Sequence, residues 1–280
     1  MPSNQSPTEI AEVDSLRSEF MRDLLSSADE VTAVSSQTSA PRRLVQFWDD
    51  LSTLPDDVRA CLESWAPLED AGFERMLFDD TSARSFIDEH FSEHHLEAFD
   101  HCNHPAMRAD YFRLCLILVL GGVYVDADDE YQGADIEPLI ASGRLHVQAL
   151  CYDITSASMI DVTEALTDES GSEQIFYVNN NPLIARAGHP IIARALERST
   201  ELLLTANRPH RDLQAVTGPG NLTASLVEHA ARKQADHEPR DFELLTTWDD
   251  IAISKWPLSY RSDTRNWRNW VREDIGEDLA

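Results

Sequence analysis

Residues 108–128 of the 280-residue chain read RADYFRLCLILVLGGVYVDAD and decide its fold. Residues 114–120 are apolar on every side, which predicts the end of a helix that is buried all round. Two glycines follow and predict the end of that helix, since glycine is the residue that most readily stops one. Residues 123–125 favour a strand, and Asp126 and Asp128 stand at its end. The stretch therefore predicts a buried helix, a short strand and a pair of carboxylates.

Helix-like and strand-like segments alternate on both sides of this stretch. Further strands are predicted at 44–48, 73–78, 145–152 and 174–178, and further helices at 55–65, 81–91, 189–206 and about 220–232. The alternation predicts an α/β fold with a Rossmann-like, mostly parallel sheet that helices cover on both faces. In such sheets, ligands bind outside the carboxyl ends of the strands.

The first forty residues are predicted to form an appendage. Apolar residues at helical spacing predict a helix over 8–27, and the polar run 35–41 predicts a linker. We therefore divide the chain into residues 1–40, an N-terminal helix and linker, and residues 41–280, the main domain. The helix is predicted to pack on the main domain, and docking to a partner is the alternative.

Composition narrows the classes of function. The net charge of -27 at pH 7 excludes a general nucleic-acid binder, because such proteins need a basic face to displace counterions. The longest apolar stretch, residues 114–125, is shorter than the ~20 residues that a membrane span needs, so no transmembrane segment is predicted. The four cysteines lack zinc-site spacing, and the N-terminus lacks the residue order of a signal peptide. These features predict a cytoplasmic protein.

Asp126 and Asp128 are the candidate metal ligands. Their side chains point the same way if the strand continues through them, because side chains alternate along a strand. Hard carboxylate oxygens suit Mg²⁺ or Mn²⁺, which keep positions open for water and phosphate. The pair can therefore hold an ion that in turn holds a diphosphate, which indicates sugar transfer from a nucleotide-sugar donor. The alternative is an acidic turn or an opportunistic cation site.

Asp110 and Arg113 are the candidate sugar-binding residues. They lie three positions apart and therefore share one side of the central helix. Their neighbours are apolar, and a charged pair in such surroundings usually has a further task. Together they offer acceptors and donors for sugar hydroxyls. The alternative is an ordinary salt bridge on the helix surface, which contributes little to stability.

The motif at 108–128 resembles the signature of the glycosyltransferases with a DXD sugar-binding region, glycosyltransferase family 32. That family includes yeast-type α-mannosyltransferases and bacterial capsule transferases, and it is distantly similar to the clostridial glucosylating toxins. Further blocks that resemble the family are 45–48, 63–80, 180–190 and 217–219. The resemblance covers about residues 43–230.

The resemblance implies a GT-A fold and retaining transfer of a sugar from a UDP- or GDP-linked donor, with Mn²⁺ or Mg²⁺ stabilising the leaving diphosphate. Trp48 would stack on the nucleobase. Asp110 and Arg113 would contact the donor sugar. Asp126 would bridge the metal and the sugar or ribose, and Asp128 would be the main metal ligand. We accordingly assign Asp126, Asp128 and Arg113 as catalytic.

The remaining substrate-binding assignments are Gly122, Tyr124, Asn181 and Trp267. The resemblance implies that Asn181 lies near the acceptor side of the donor sugar. Family tails often carry a histidine and a Ser-Trp pair, whereas this tail offers Ser-Lys-Trp at 254–256 and no histidine. The third metal ligand and the contribution of the tail are therefore left open.

Two other functions stay open. A degenerate transferase-like protein would bind a nucleotide sugar, or act as a scaffold, without turnover. A metal-dependent phosphotransferase or phosphohydrolase would use the same two aspartates, although such enzymes more often need further clustered histidines and aspartates, which the sequence does not offer. The acceptor, whether glycan, lipid, protein or small molecule, is unidentified.

Overall fold

A computed structural model describes residues 6–27, 39–168, 173–205 and 212–269 of the chain. Within these residues the helices are α1 Pro7–Glu12, α2 Asp14–Ser26, α3 Asp56–Ser64, α4 Pro67–Asp70, α5 Asp80–His90, α6 Glu93–Asp100, α7 Pro105–Leu120, α8 Glu137–Ala141, α9 Val162–Thr167, α10 Pro190–Leu204, α11 Leu213–Val216 and α12 Pro219–Ala235. The strands are β1 Arg43–Phe47, β2 Glu74–Phe78, β3 Gly122–Tyr124, β4 Asp129–Tyr131, β5 Leu145–Asp153, β6 Ser158–Ile160, β7 Gln174–Ala185, β8 Phe242–Leu245 and β9 Ala252–Ser254.

Helix α7 and strand β3 are specified by the residues at their ends. His104 is the N-cap of α7, and its Nδ1 accepts a backbone hydrogen bond at 3.1 Å. Gly121 ends the helix with a φ of 64°, and a Cβ there would lie 2.6 Å from the backbone nitrogen of Ala187. At Gly122, with a φ of 117°, a Cβ would lie 2.8 Å from the carbonyl oxygen of Arg43. The double glycine therefore lets the chain turn sharply and lets β3 lie close against β1.

Helix α7 is less uniformly buried than the sequence predicts. Residues 114–117 are buried, whereas residues 118–120 are half-buried. The last turn lies beside the loop after β7, where Gly188 donates a backbone hydrogen bond to the Leu118 carbonyl at 2.8 Å. Within the described part of the chain, no helix combines the length and the apolar character needed to cross a membrane.

Seven of the described strands form one sheet in the order β2-β1-β3-β7-β5, with β8 and β6 pairing to successive halves of β5. Strands β1, β2, β3, β5 and β8 run in one direction, and β6 and β7 run in the other. Leu44 and Val45 are neighbours on β1 and enter different hydrophobic clusters. The cluster around Val45 includes residues of α2, α7, α10 and α12, and the cluster around Leu44 includes residues of α4 and α8. This is the predicted α/β fold, a mostly parallel sheet flanked by helices.

Strand β7 contains a bulge that shapes the site. From Val147 to Ala149 β5 advances two residues, whereas their partners on β7, Leu183 and Val178, are five residues apart. The surplus residues leave the ladder, as happens in β-bulges that redirect side chains toward a site. They include the three consecutive asparagines at 179–181. Asn181 contacts the loop after β3, whereas Asn180 donates to Asp110 of α7 and Asn179 donates to Gln148 of β5.

The predicted N-terminal helix over 8–27 is two helices, because Val13 adopts an extended backbone between α1 and α2 and is 42% exposed. Helix α2 buries three large apolar residues in the main core. Arg198 in α10 donates two hydrogen bonds to the Glu12 carboxylate, each 3.1 Å. Most of the predicted linker falls within residues 28–38, outside the described residues.

The tail is attached to the loop that carries the two aspartates. Strand β9 pairs with β4, which begins directly after Asp128. The Lys255 backbone N–H donates to the Asp128 carbonyl at 2.9 Å, and its Nζ donates to the Glu130 carboxylate at 2.6 Å. These contacts hold the start of segment 255–269 beside the end of β3.

Candidate active site

A cavity of about 480 Å³ lies where β1 and β3 end, a volume typical of small-molecule sites. Its wall includes six of the predicted site residues: Trp48, Asp110, Arg113, Asp126, Asp128 and Trp267. The other three, Gly122, Tyr124 and Asn181, lie behind this wall. The fold thus brings residues from the start, the middle and the end of the chain to one cavity.

Arg113 links α7 to the aspartate at the end of β3. Its side chain is 4% exposed, donates to the Asp126 carboxylate at 2.8 Å and lies 3.0 Å from the Asp110 carboxylate. Another of its N–H groups donates to the Asn180 carbonyl at 2.8 Å. The guanidinium lies 4.4 Å from the centre of the Tyr124 ring. Because charge-assisted hydrogen bonds are the strong ones, this arginine fixes α7, β7 and the aspartate loop relative to one another.

Asp110 faces the cavity from α7. Its Oδ1 accepts a hydrogen bond from the Asn180 amide at 2.7 Å, and its Oδ2 accepts one from the Thr217 hydroxyl at 3.4 Å. Burial raises the pKa of Asp110, while the Arg113 charge and these two hydrogen bonds lower it. The long bond to Thr217 leaves Oδ2 with capacity for a further donor, such as a sugar hydroxyl.

Asn181 secures the aspartate loop from behind. Its Oδ1 accepts the Asp126 backbone N–H at 3.1 Å, and its Nδ2 donates to the Asp129 carboxylate at 2.8 Å. Trp65 reaches the same loop and donates from Nε1 to the Asp129 carbonyl at 2.9 Å. Asn181 can make both contacts because an amide side chain offers an acceptor and donors together. Both polar atoms of the Asn181 amide are hydrogen-bonded within the protein, and its side chain does not line the cavity.

Gly122 and Tyr124 also lie behind the wall, for different reasons. Gly122 is within β3, where the absence of a side chain permits the close approach of β1 described above. Tyr124 is fully buried, and the Arg113 guanidinium that donates to Asp126 also lies over its ring. These two residues build the support beneath the site.

The site holds more negative charge than its described contacts balance. The carboxylates that line the cavity outnumber the guanidinium groups by one: Asp49, Asp110, Asp126, Asp128 and Asp249, against Arg113, Arg261, Arg265 and Arg268. Burial raises the pKa of Asp126 to about 6, although 34% of its side chain is open to the cavity. Burial and the charges of Asp126 and Asp128 raise the pKa of Asp129 well above its ordinary value. The shortage of positive charge and the hard oxygen donors fit a divalent cation.

The protein would supply only part of the ligand set of such a cation. Among the residues that the structure describes, no group of three or more histidine, cysteine, aspartate or glutamate side chains is arranged to hold a metal ion. Mg²⁺ sites commonly use one or two carboxylates and take their other ligands from water and phosphate. The arrangement therefore suits an ion that binds together with a diphosphate.

The tail reaches Asp128 directly. The Asp128 Oδ2 accepts the Tyr260 hydroxyl at 2.6 Å and an N–H of Arg261. The Arg261 guanidinium lies 3.6 Å from the centre of the Trp256 ring. Sequence reasoning missed Tyr260 and Arg261, because only the pairing of β9 with β4 brings them to this carboxylate. The one local signal is the mixture of aromatic residues and arginines at the end of the chain.

Trp48 lies at the β1 end of the cavity and is 8% exposed. The Tyr260 ring meets it edge-on, with ring centres 5.2 Å apart, and the Arg265 guanidinium lies 5.5 Å from its centre. The buried indole Nε1 makes no hydrogen bond among the described residues. An aromatic ring in this position can stack on a nucleobase.

Comparison with known proteins agrees with this geometry. Residues 55–144 match the family described as glycosyltransferase sugar-binding region containing DXD motif, and that segment includes α7, β3 and both aspartates of the motif. The match confirms the resemblance to DXD glycosyltransferases that the sequence predicts. Over 89 residues the chain is 27% identical to the uncharacterized glycosyltransferase L373 of Acanthamoeba polyphaga mimivirus, an alignment that covers 31% of this chain and 35% of the viral protein.

The matched part thus spans about a third of the length of the viral relative. Among solved structures, the PaToxG glycosyltransferase is similar with a TM-score of 0.44 and 14% sequence identity, over 82% of this chain and 86% of that chain.

Proposed function

We propose that the protein is a retaining glycosyltransferase of the GT-A type, with residues 41–280 as its catalytic domain and residues 1–40 as an appendage. It transfers a hexose from a UDP- or GDP-linked donor to an acceptor. One observation carries the proposal: Asp126 and Asp128 line the same cavity as Asp110 and Arg113, in a site that is short of positive charge. The matched DXD region supports it.

In this proposal, Asp126 and Asp128 hold Mn²⁺ or Mg²⁺. The ion, when bound, stabilises the negative charge on the leaving diphosphate. Arg113 and Asn181 act as positioning residues, since the first fixes the Asp126 carboxylate and the second fixes its backbone. Arg261 adds a positive charge at the same loop, and charges already in place at a leaving group lower the barrier to its departure.

The transfer itself requires little acid or base chemistry from the protein. The acceptor oxygen bonds to the anomeric carbon as the bond from that carbon to the diphosphate oxygen breaks. The electron pair leaves with the nucleoside diphosphate, and the acceptor proton passes to a phosphate oxygen of that product. Asp110 orients the donor sugar because its Oδ2 accepts a hydrogen bond from one of the sugar hydroxyls. Retention of the anomeric configuration is proposed from the family resemblance.

A donor screen tests this function. The protein is incubated with UDP- and GDP-sugars and Mn²⁺, and release of the nucleoside diphosphate is measured with water as the acceptor. We expect slow turnover of one donor that EDTA stops and Mn²⁺ restores. Binding of a donor without any turnover would favour the scaffold, and phosphate release from simple phosphate esters would favour a phosphohydrolase.

Replacing Trp48 with alanine is expected to weaken nucleotide binding about 5- to 150-fold, because stacking on an aromatic ring contributes roughly 1–3 kcal/mol per base. Calorimetry with UDP, GDP and Mn²⁺ measures the effect. Leu54→Ala is the matched control, since Leu54 packs against the same small cluster but does not line the cavity. Equal affinity of Trp48→Ala and the parent for the nucleotide would show that the base does not stack on the indole.

A further inference from the structure

One half of the large sheet exposes an apolar surface. Its side chains are Leu150 and Tyr152 of β5, Met159 of β6, and Ile175 and Tyr177 of β7, which we call the β5–β7 face. The strand register pairs Leu150 with Tyr177, and pairs Tyr152 with both Ile175 and Met159. Residues paired across strands point to the same side of a sheet, so these five form one continuous surface.

The opposite side of the same strands is ordinary core. Ala149, Cys151, Phe176 and Val178 alternate with the β5–β7 face along the chain and are all buried. On the β5–β7 face, Met159 is 48% exposed and Ile175 is 40% exposed. The other three residues of the face are half-buried. A partly exposed, continuous apolar surface is typical of an interaction site.

The five side chains of the face are uncharged in a chain that is 26% charged residues, and the Arg268 guanidinium lies beside them near Tyr177. The Tyr177 hydroxyl is directed to the Met159 sulfur at 3.4 Å. A surface that offers so few free hydrogen-bonding groups is poorly suited to hold a bare sugar, which needs many polar partners. The face is suited to bind a hydrocarbon chain.

The β5–β7 face continues into the cavity. Leu150, Met159 and Tyr177 line the cavity wall themselves. Trp48 follows β1, the aspartates follow β3, and the face lies on β7, β5 and β6, in the spatial order of the sheet. Neighbouring strands are about 4.8 Å apart, so β5 lies roughly 14 Å from β1. A donor with its base at Trp48 and its diphosphate at the aspartates therefore directs its sugar toward this face.

We propose that the β5–β7 face binds the apolar part of the acceptor, an alkyl-bearing molecule whose hydroxyl group enters the cavity. The inference rests on the proposed transfer function for the identity of the bound molecule as an acceptor. The preferred acceptor is a molecule whose hydroxyl group is attached to a hydrocarbon chain, and an unsubstituted sugar is a poorer acceptor.

Saturation-transfer NMR on the full chain tests the proposal. The probes are octyl β-glucoside, kept below its critical micelle concentration, and methyl β-glucoside, which has the same sugar without the alkyl chain. The variant is the double substitution Met159→Glu with Ile175→Glu. Leu77→Glu is the matched control, because Leu77 is a similarly exposed apolar strand residue, 42% exposed, on β2 at the other edge of the sheet. Thermal melting confirms that each variant is folded.

We expect the octyl protons to receive saturation from the parent and from Leu77→Glu, and to receive at least fivefold less from the double variant. Methyl β-glucoside should bind at least tenfold more weakly than octyl β-glucoside. Absence of octyl signals in the parent, or equal signals in all three proteins, would overturn the proposal. Donor turnover with water is measured on the same samples, so a failure of the transfer function is seen separately from a failure of this surface to bind hydrocarbon.

Discussion

Asp128→Asn is expected to lower metal-dependent donor turnover about a thousandfold, because an amide oxygen replaces a charged oxygen that would hold the ion at the leaving diphosphate. Asparagine keeps an acceptor for the Tyr260 hydroxyl and for Arg261, so the tail contact and the fold should survive. Steady-state release of nucleoside diphosphate with saturating Mn²⁺ measures the loss, and thermal melting measures the fold.

The matched control for this prediction is Asp250→Asn. Asp250 is an exposed aspartate in the short helical turn Trp248–Asp250 and does not line the cavity. The same removal of one negative charge should leave its turnover within about twofold of the parent. Turnover by Asp128→Asn at the rate of the parent would show that this carboxylate does not serve the leaving group.

Arg113→Ala is expected to lower the free energy of unfolding by about 3–5 kcal/mol at pH 7, because it leaves the Asp110 and Asp126 carboxylates without their shared positive partner. Urea denaturation measures the loss. The destabilisation should be smaller at pH 5 than at pH 7. Burial already raises the pKa of Asp126 to about 6, so a falling pH adds a proton to the folded state and removes the uncompensated charge.

Two comparisons make this prediction specific. Arg108→Ala, in the same helix, removes a partly exposed pair with Asp80 and should cost no more than about 1 kcal/mol. The double variant Arg113→Ala with Asp126→Asn should be more stable than Arg113→Ala alone, because it carries one uncompensated charge fewer. If Arg113→Ala and Arg108→Ala lose the same stability, the buried network does not have the assigned role.

The centre of the fold could be predicted because its signals are local. The apolar run of α7, the glycines and the β-prone residues after them each restrict the backbone within a few positions, and the structure contains that helix, break and strand. Asp110 and Arg113 could be placed together for the same reason, since helical spacing alone puts them on one side.

The parts of the site that depend on pairing between distant strands could not be predicted in this way. The sequence predicts a strand at 174–178, whereas β7 extends over Gln174–Ala185. Asparagines and a proline at 180–182 favour a turn, and only the register with β5 shows that they form a bulge inside one strand. The positions of Asn180, Asn181 and the tail residues at Asp128 follow from such pairing.

The location of Tyr124 also depends on tertiary structure. Strand alternation puts it on the same side as Asp126, and we assign it from the sequence to substrate binding. The sequence cannot show that the guanidinium of Arg113, about two turns before the end of α7, would cover the ring. Arg113 does so in the folded protein.

Calorimetric titration of nucleotide and Mn²⁺ tests most directly whether Asp126 and Asp128 hold an ion together with the diphosphate. UDP and GDP are titrated with and without Mn²⁺ into the parent and into the double variant Asp126→Asn with Asp128→Asn. We predict that Mn²⁺ raises the affinity of the parent for one nucleotide at least tenfold and leaves the affinity of the double variant unchanged. An equal effect of Mn²⁺ on both proteins, or no effect on the parent, would contradict it.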